Sequence, residues 1–214
     1  MTLLFQYKSF KEASTQCQII LQQAITKKNN TPEQIQLIEQ QVKQWLEDVV
    51  IGLNLCPFAA KPNRNKQIKI FVSEDDNEND LLETIYMQFK ELDETPPETL
   101  ETILVVAPFL FEEFDDYNQF LDLIEGLVVQ LGKSGTYQIA SFHPDYCFYG
   151  AEPDDAENLT NRSPYPVFHL IREESMAKVI KHYPNPEAIP DRNIECVENL
   201  TPEQMRQLFP YLIK

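Results

Sequence analysis

Hydrophobic residues recur along the chain at helical spacing in some segments and at strand-like spacing in others. Residues 13–28 carry one apolar stripe with a helical period, and residues 35–53 carry a second. Thr31-Pro32-Glu33-Gln34 opens the second segment with a capping threonine, a proline in the first turn and a glutamine placed for a capping box. Pro57 disfavours helical geometry in the residue before it, so we predict that this second helix ends before Pro57.

Three short runs rich in β-branched residues follow, at residues 68–72, 102–107 and 137–142. Segments with a helical period, residues 81–92 and 120–131, separate them. This order predicts an α/β fold with a compact sheet of at least three strands, a βαβαβ core, two N-terminal helices and C-terminal helices. The 102–107 run is apolar throughout, which is typical of a central strand. Parallel strands are the default because a crossover helix fits each connection, and a mixed, ferredoxin-like sheet is the alternative.

The periodicity lapses over residues 143–166, which are rich in proline and aromatic residues. A long loop with this composition is typical of a functional segment rather than a disordered one. Residues 167–183 are predicted as a strand followed by a helix, or as one helix. Residues 193–197 are predicted as an edge strand, and Thr201 repeats the earlier capping pattern at the start of a last short helix.

We therefore predict a helical N-terminal extension over residues 1–30 and a single α/β domain over residues 31–214. The chain has 214 residues and a formal net charge of −16 at pH 7. Such a charge repels phosphate backbones and anionic lipid, so the sequence predicts an acidic, soluble protein with no nucleic-acid or membrane partner. It is compatible with a cationic partner. The sequence does not predict an oligomeric state.

The four cysteines are scattered along the chain without a CxxC pair or zinc-like spacing. No stretch reaches the roughly 20 apolar residues that span a bilayer, and the N-terminal residues lack the features of a signal peptide. A cytoplasmic protein with free thiols is therefore predicted. These cysteines are Cys17, Cys56, Cys147 and Cys196.

Three segments combine polar and aromatic residues in a way that suggests a site. They are Gly52-Leu53-Asn54-Leu55-Cys56-Pro57-Phe58-Ala59, Ser141-Phe142-His143-Pro144-Asp145-Tyr146, and Asn161-Arg162-Ser163-Pro164-Tyr165-Pro166 with the adjoining residues 167–173. Ligands of open α/β sheets bind beyond the carboxyl ends of strands, and His143 is predicted to lie at such an end. As a set, LCPFA, FHPDY and NRSPYP followed by HLIRE resemble the signature stretches of an uncharacterised bacterial group, the domain-of-unknown-function family 1415. The resemblance runs from the second helix to about Asn193 and implies no particular activity.

Three residues are candidate catalytic groups. Cys56 is a candidate nucleophile, which requires a lowered thiol pKa, and His143 and His169 are candidate acid/base groups. The alternatives are a buried, inert cysteine beside a proline turn and histidines that are hydrogen-bonded parts of the fold. His143, Asp145 and His169 are also a candidate ligand set for a divalent metal, because imidazole and carboxylate suit zinc, iron or manganese. Asp154 and Glu173 are the alternatives to Asp145 as the acidic ligand.

Two arginines are candidate substrate-binding groups, since a guanidinium can clamp a carboxylate or a phosphate through two hydrogen bonds. Arg162 and Arg172 would provide the clamps, with Asn161 and Ser163 as neutral donors; the alternative is that the arginines form ion pairs within the chain. The sequence contains no glycine-rich phosphate loop, nucleotide fingerprint, GxSxG or HExxH motif, so no nucleotide cofactor is predicted.

Three functional hypotheses follow. The first is an enzyme acting on a small anionic metabolite in a pocket formed by Cys56, His143, Arg162 and His169. The second is a non-catalytic binding module for a metabolite, a metal or a cationic partner. In the third, the motifs only fix the proline-rich loop to the sheet.

Overall fold

A computed structural model describes residues 31–213 of the chain. Within them, two α-helices precede the first strand, helices alternate with strands up to the third strand, and three further α-helices follow the fourth. The elements are α1 (Pro32–Trp45), α2 (Ala60–Arg64), β1 (Ile68–Val72), α3 (Glu78–Glu94), β2 (Thr102–Val106), α4 (Phe114–Gln130), β3 (Tyr137–Phe142), β4 (Val167–Arg172), α5 (Glu173–Ile180), α6 (Ile189–Glu198) and α7 (Pro202–Leu208). Short 3₁₀ turns cover Ala156–Asn161, Pro186–Ala188 and Pro210–Leu212.

The four strands form one mixed sheet in the order β1-β2-β4-β3. β1 pairs parallel with β2, whereas β4 pairs antiparallel with both β2 and β3. The α/β fold class is confirmed. β1, β2 and β3, which correspond to the three runs that the sequence predicted as strands, run in the same direction. The prediction of an all-parallel sheet is nevertheless wrong, because β4 lies between β2 and β3 and runs antiparallel to both. The long loop after β3 returns the chain to the same end of the sheet without a crossover, so β4 can only pair antiparallel.

Helices cover both faces of the sheet, and β2 contributes side chains to the hydrophobic core on each face. All five residues of β2 are buried, which confirms that it is a central strand. Ile103 and Val105 point toward α3 and α4, while Leu104 and Val106 point toward α1 and α6. We call the first side the α3/α4 face and the second the α1 face. The alternation follows from the two-residue period of a strand.

Helix α1 begins for the reason that the sequence suggested. The Thr31 hydroxyl accepts a hydrogen bond from the backbone N–H of Gln34 at 3.3 Å, and Pro32 occupies the first turn. After Trp45 the helix widens into a π-helical segment, Leu46–Ile51, which ends before Pro57. A Cβ atom on Gly52 would lie 2.2 Å from the carbonyl oxygen of Asp48, so this tight segment requires glycine.

The C-terminal predictions have mixed outcomes. Residues 167–183 form a strand followed by a helix, as one of the two alternatives proposed. The edge strand over residues 193–197 is wrong, because these residues lie in α6. Pro190 occupies the first turn of α6, and Val197, 2% exposed, packs on the α1 face. Thr201 and Gln204 form the complete capping box that was predicted for α7.

Other sequence predictions concern the termini and the chain's relation to membranes. The predicted helix over residues 13–28 lies outside the described residues. Within residues 31–213, none of the helices combines the length and the apolar character needed to cross a bilayer. Cys56, Cys147 and Cys196 carry free thiols, as predicted, and Cys17 lies outside the described part.

Candidate functional site

Cys56 lies in the turn that follows the π-helical segment. Its backbone N–H donates to the carbonyl of Val50 at 3.3 Å, and α6 holds the turn because the Asn193 amide donates to the carbonyl of Leu55 at 2.7 Å. Burial raises the pKa of the Cys56 thiol above 9.0, and weaker backbone hydrogen bonds oppose that rise. A nucleophilic cysteine needs the opposite shift, so the turn holds a protonated thiol at neutral pH.

His143 follows β3 and is 1% exposed. Its Nδ1 atom accepts a hydrogen bond from the backbone N–H of Asp145 at 3.0 Å. Nε2 therefore carries the proton and donates to the carbonyl oxygen of Phe111 at 2.9 Å. The rings of Phe114 and Tyr117 lie against the imidazole, with centroids 5.4 and 5.1 Å away. Burial lowers the pKa of His143, so the ring is neutral and both nitrogens are occupied by backbone groups.

Asn161, Arg162 and Ser163 bind backbone groups of the loop that contains them and of the adjoining strand β3. The Asn161 amide donates to the Ser141 carbonyl at 3.1 Å, and the Ser163 hydroxyl donates to the Tyr165 carbonyl at 2.6 Å. The Arg162 guanidinium donates to two loop carbonyls, those of Tyr146 at 3.3 Å and Pro153 at 2.6 Å. The carbonyl of Arg162 accepts from the indole N–H of Trp45 at 3.0 Å, which joins this loop to α1.

Arg172 lies at the opposite end of the sheet from this loop. β4 has six residues, so the length of the strand, about 17 Å, separates Arg172 from the segment that contains Arg162. One terminal nitrogen, Nη2, donates to the carbonyls of Leu92, Thr95 and Leu100 at 2.6, 2.7 and 3.2 Å. Arg172 thus caps the C-terminus of α3, where a cation is electrostatically favourable. Its Nε atom is buried and has no hydrogen-bond partner.

His169 lies in the middle of β4 on the α1 face, opposite Leu104 of β2 and Ala140 of β3. Its Nε2 atom is 2.7 Å from the hydroxyl oxygen of Thr102, and that hydroxyl donates to the Leu170 carbonyl at 2.5 Å. The Thr102 oxygen therefore accepts from Nε2, and Nδ1 keeps its lone pair. Desolvation lowers the pKa of His169 to about 4, so the ring is neutral at neutral pH.

The structure brings some of the predicted site residues together and separates others. His143 and the 161–163 segment form one hydrogen-bonded unit, in which the His143 N–H also donates to the Asn161 carbonyl at 3.2 Å. Arg172 lies at the other end of the sheet, and His169 lies in the middle of β4. Among residues 31–213, no group of three or more histidine, cysteine, aspartate or glutamate side chains could hold a metal ion, so His143, Asp145 and His169 do not assemble a metal site.

A groove that the sequence did not suggest lies between the edge strand β1 and helix α3. It has a volume of about 380 Å³, and we call it the β1–α3 groove. Three carboxylates, two polar side chains and two apolar side chains line it: Asp75, Asp80, Glu83, Thr84, Gln88, Phe71 and Met87. Met87 is 48% exposed, whereas Gln88 is 6% exposed.

The carboxylates of the groove form no salt bridge with any lysine or arginine of the described chain. Asp75 accepts from the Ser73 hydroxyl at 2.5 Å, and Asp80 accepts from the side-chain amide of Asn77, the N-cap of α3, at 2.6 Å. These partners are neutral, so within residues 31–213 no lysine or arginine neutralises the three carboxylates through a salt bridge. Such a surface attracts cations.

Two further features differ in how visible they are in the sequence: the acidic groove and the buried Asn158. Glu74-Asp75-Asp76 is an acidic run directly after β1. Ligands of open α/β sheets bind beyond the carboxyl ends of strands, so polar residues at this position indicate a candidate site. Asn158, which is fully buried, binds the Phe148 N–H and the Glu152 carbonyl and so organises the long loop. Nothing in its sequence neighbourhood distinguishes Asn158 from a surface asparagine.

Residues 37–207 match a family model described as a protein of unknown function, DUF1415. The match covers most of the chain, so the chain belongs to this family, as the motifs suggested. No curated protein and no solved structure matches it. The family description assigns no activity.

Proposed function

We propose that this chain is a non-catalytic binding module for a cationic partner, and that the β1–α3 groove receives an ammonium or guanidinium group of that partner. One observation carries the proposal: Asp75, Asp80 and Glu83 line a groove together, without a salt bridge to any described lysine or arginine. The net charge of −16 would add long-range attraction.

Lys69 provides an internal example of the same recognition beside the groove. Its ammonium lies 5.1 Å from the centre of the Phe71 ring and pairs with Glu91 at 2.5 Å. It also donates to the Gln88 amide oxygen at 3.0 Å. An aromatic face and a carboxylate are the groups that hold a cation in water. Phe71 and Gln88 line the groove as well, so a ligand cation would meet similar chemistry.

Magnitudes indicate what kind of cation would bind. Exposed ion pairs contribute about 0.2–1 kcal/mol each, and an exposed cation–π contact contributes about 0.5–1 kcal/mol. Three carboxylates and one ring thus provide about 1–4 kcal/mol, whereas a dissociation constant of 1 mM requires about 4 kcal/mol. A single ammonium group would bind weakly. The groove therefore favours a partner with several positive charges, such as a basic peptide segment.

The enzyme hypothesis has less support from the same contacts. Cys56 has a raised thiol pKa, His143 has no free nitrogen, and Arg162 donates to loop carbonyls. We infer that Cys56, His143, Asn161, Arg162, Ser163 and Arg172 hold the fold rather than a substrate. A small anionic ligand would have to displace these backbone contacts, at a cost of about 1–3 kcal/mol for each buried group left unpaired.

The location that we propose is the cytosol. The free thiols of Cys56, Cys147 and Cys196 fit a reducing compartment. A single α/β domain over residues 31–214 remains our proposal for the domain organisation, and the two cores on either side of one sheet support it.

Methionine methyl resonances provide a direct test of the groove. Met87 lines it, whereas Met205 lies in α7 on the α1 face. The protein is labelled at its methionine methyl groups and titrated with a tetralysine peptide, and tetraglutamate serves as the control. We expect the Met87 resonance to shift with tetralysine alone while the Met205 resonance stays constant.

The charge variant Glu83→Gln is expected to weaken the shift of Met87. Glu39→Gln, on the exposed side of α1, removes the same charge away from the groove and is expected to leave the shift intact. Equal effects of the two variants would mean that the peptide responds to net charge only. An unchanged Met87 resonance at saturating tetralysine would refute the proposal.

A further inference from the structure

The two edges of the sheet differ in how their backbone groups are satisfied. β3 forms one edge, and hydrogen bonds from neighbouring segments cover both of its ends. The backbone N–H of Tyr137 donates to the carbonyl of Lys133 at 3.2 Å, and the carbonyl of Ser141 accepts from the side-chain amide of Asn161 at 3.1 Å. A further strand could pair along β3 only by breaking these bonds.

β1 forms the other edge, and its ladder with β2 determines which of its backbone groups point outward. At one end the Ser73 N–H donates to the Val106 carbonyl at 2.8 Å, and at the other end the Gln67 carbonyl accepts from the Thr102 N–H at 3.4 Å. In a parallel ladder every second residue bonds to the neighbouring strand, so the residues of β1 with even numbers point away from β2. These residues are Ile68, Ile70 and Val72.

The outer edge of β1 is open. Among residues 31–213, no backbone group bonds to the outward N–H and carbonyl groups of these three residues. β1 also lacks the usual protections of an edge strand, since it pairs with β2 without a bulge over all five residues and contains no proline. Its charged residue, Lys69, is held by Glu91 of α3. Another strand can therefore be added to β1.

The β1–α3 groove lies beside this open edge. Phe71 of β1 lines the groove, whereas Ile70 and Val72 point to the α1 face. Side chains alternate in the same way along any strand that is added to a sheet. Every second side chain of a strand paired with β1 would thus point toward the carboxylates of the groove. The side chains between them would lie beside the apolar residues of β1 on the α1 face.

We propose that the cationic partner binds as an extended peptide strand, hydrogen-bonded to the outer edge of β1, in which basic residues alternate with apolar ones. This inference rests on the proposed function and adds the conformation and the sequence pattern of the partner. The basic side chains, about 6.6 Å apart as every second residue of a strand, reach the groove. The apolar side chains pack beside Ile68, Ile70 and Val72, each of which is partly exposed.

Strand addition supplies the binding energy that the groove alone lacks. When a peptide extends a sheet, main-chain hydrogen bonds provide affinity, and pockets for alternate side chains provide specificity. Charge favours a basic peptide over a second copy of this chain. Each copy has a formal net charge of −16, so two copies repel each other, whereas a basic strand is attracted.

Amide hydrogen exchange, measured by NMR, provides the first test. The probe is the peptide Lys-Val-Lys-Val-Lys with blocked termini, and the protein is the full chain. The amides of Ile70 and Val72 point outward, whereas those of Lys69 and Phe71 donate to β2 and serve as the internal control. In the free protein we expect the outward pair to exchange at least roughly tenfold faster than the control pair. Saturating peptide is expected to slow the outward pair at least roughly tenfold.

Two N-methylated isomers of the peptide test the backbone pairing itself. In an added strand, the N–H groups of the lysines face one edge and those of the valines face the other. One isomer carries methyl groups on the backbone nitrogens of both valines, and the other carries them on those of the second and third lysines. Charge and side chains are identical. We expect one isomer to lose affinity at least roughly tenfold relative to the other, followed through the Met87 methyl resonance.

Three outcomes would overturn the inference. Equal affinities of the two isomers would mean that side chains alone hold the peptide. Slow exchange of Ile70 and Val72 in the free protein, at the rate of Lys69 and Phe71, would mean that the edge is already covered. A peptide that shifts Met87 without slowing Ile70 and Val72 would contradict strand addition and leave the proposed cation groove intact. If neither this peptide nor tetralysine shifts Met87, the proposed groove fails and strand addition fails with it.

Discussion

The Nε2 atom of His143 lies 2.9 Å from the carbonyl oxygen of Phe111, although 32 positions separate the two residues. Phe111 adopts a left-handed backbone conformation with φ of 59°, which is costly for an aromatic residue. The hydrogen bond from the imidazole therefore supports a strained turn between β2 and α4. His143 connects that turn to the loop after β3.

His143→Ala is expected to destabilise the protein. The change leaves the Phe111 carbonyl and the Asp145 N–H without the imidazole and opens a cavity between Phe114 and Tyr117. We expect the free energy of unfolding to fall by about 2–4 kcal/mol, measured by urea denaturation. His182→Ala, at an exposed position, is expected to change it by less than about 0.5 kcal/mol. A His143→Ala variant as stable as His182→Ala would mean that the imidazole is not part of the fold's support.

Arg172→Ala is expected to release the C-terminus of α3. Three carbonyl groups lose the guanidinium that binds them, and the free energy of unfolding is expected to fall by about 2–4 kcal/mol. Hydrogen exchange should increase at the last turn of α3 and in the segment up to Leu100. The matched variant is Arg206→Ala, which removes only an exposed contact with Glu203. Similar exchange in both variants would contradict the capping role.

The stability contributed by His169 is expected to depend on pH. Its pKa is about 4 in the folded protein against an ordinary value of 6.5, because burial disfavours the charged ring. Between those pH values the unfolded chain binds a proton that the folded chain does not, so stability falls as the pH drops from about 6.5 to about 4. His169→Gln lacks this proton, so its curve of unfolding free energy against pH is expected to be flatter in that window. Parallel curves would show that His169 titrates normally.

Cys56 is expected to react slowly with alkylating reagents. Burial raises the pKa of its thiol above 9.0, so its alkylation rate should still be rising at pH 9, when measured by mass spectrometry of the Cys56 peptide. A plateau below pH 8 would reveal a stabilised thiolate and would restore Cys56 as a candidate nucleophile.

Local signals predicted those parts of the fold that local chemistry determines. Thr31 and Thr201 cap helices in sequence patterns that contain their own partners, and the apolar run of β2 indicates burial on both faces. A 24-residue loop connects Phe142 to Val167, and the position to which it returns the chain determines that β4 inserts antiparallel between β2 and β3. No local hydrophobic period in the sequence predicts that position.

The candidate site residues could be selected from the sequence, but the role of each residue could not be predicted from it. His143 and Arg162 are polar groups in a loop, which suits a ligand site and a structural hydrogen bond equally well. Their partners, such as the carbonyls of Phe111 and Pro153, are backbone atoms that no sequence pattern marks. The groove could not be predicted because its lining residues, such as Phe71 of β1 and Glu83 of α3, belong to different elements and come together only in the fold.

We propose that the carboxylates of the β1–α3 groove bind a cationic partner. The most direct test is the affinity for a tetralysine peptide, measured by isothermal titration calorimetry. The measurement compares the unmodified protein with two double variants. Asp80→Asn/Glu83→Gln removes two charges from the groove, and Glu39→Gln/Glu33→Gln removes the same charge from α1. We expect the groove variant alone to lose about tenfold or more in affinity, corresponding to about 1.4 kcal/mol, and we expect the affinity of the unmodified protein to fall at high salt. Equal affinities for the two double variants would contradict the claim.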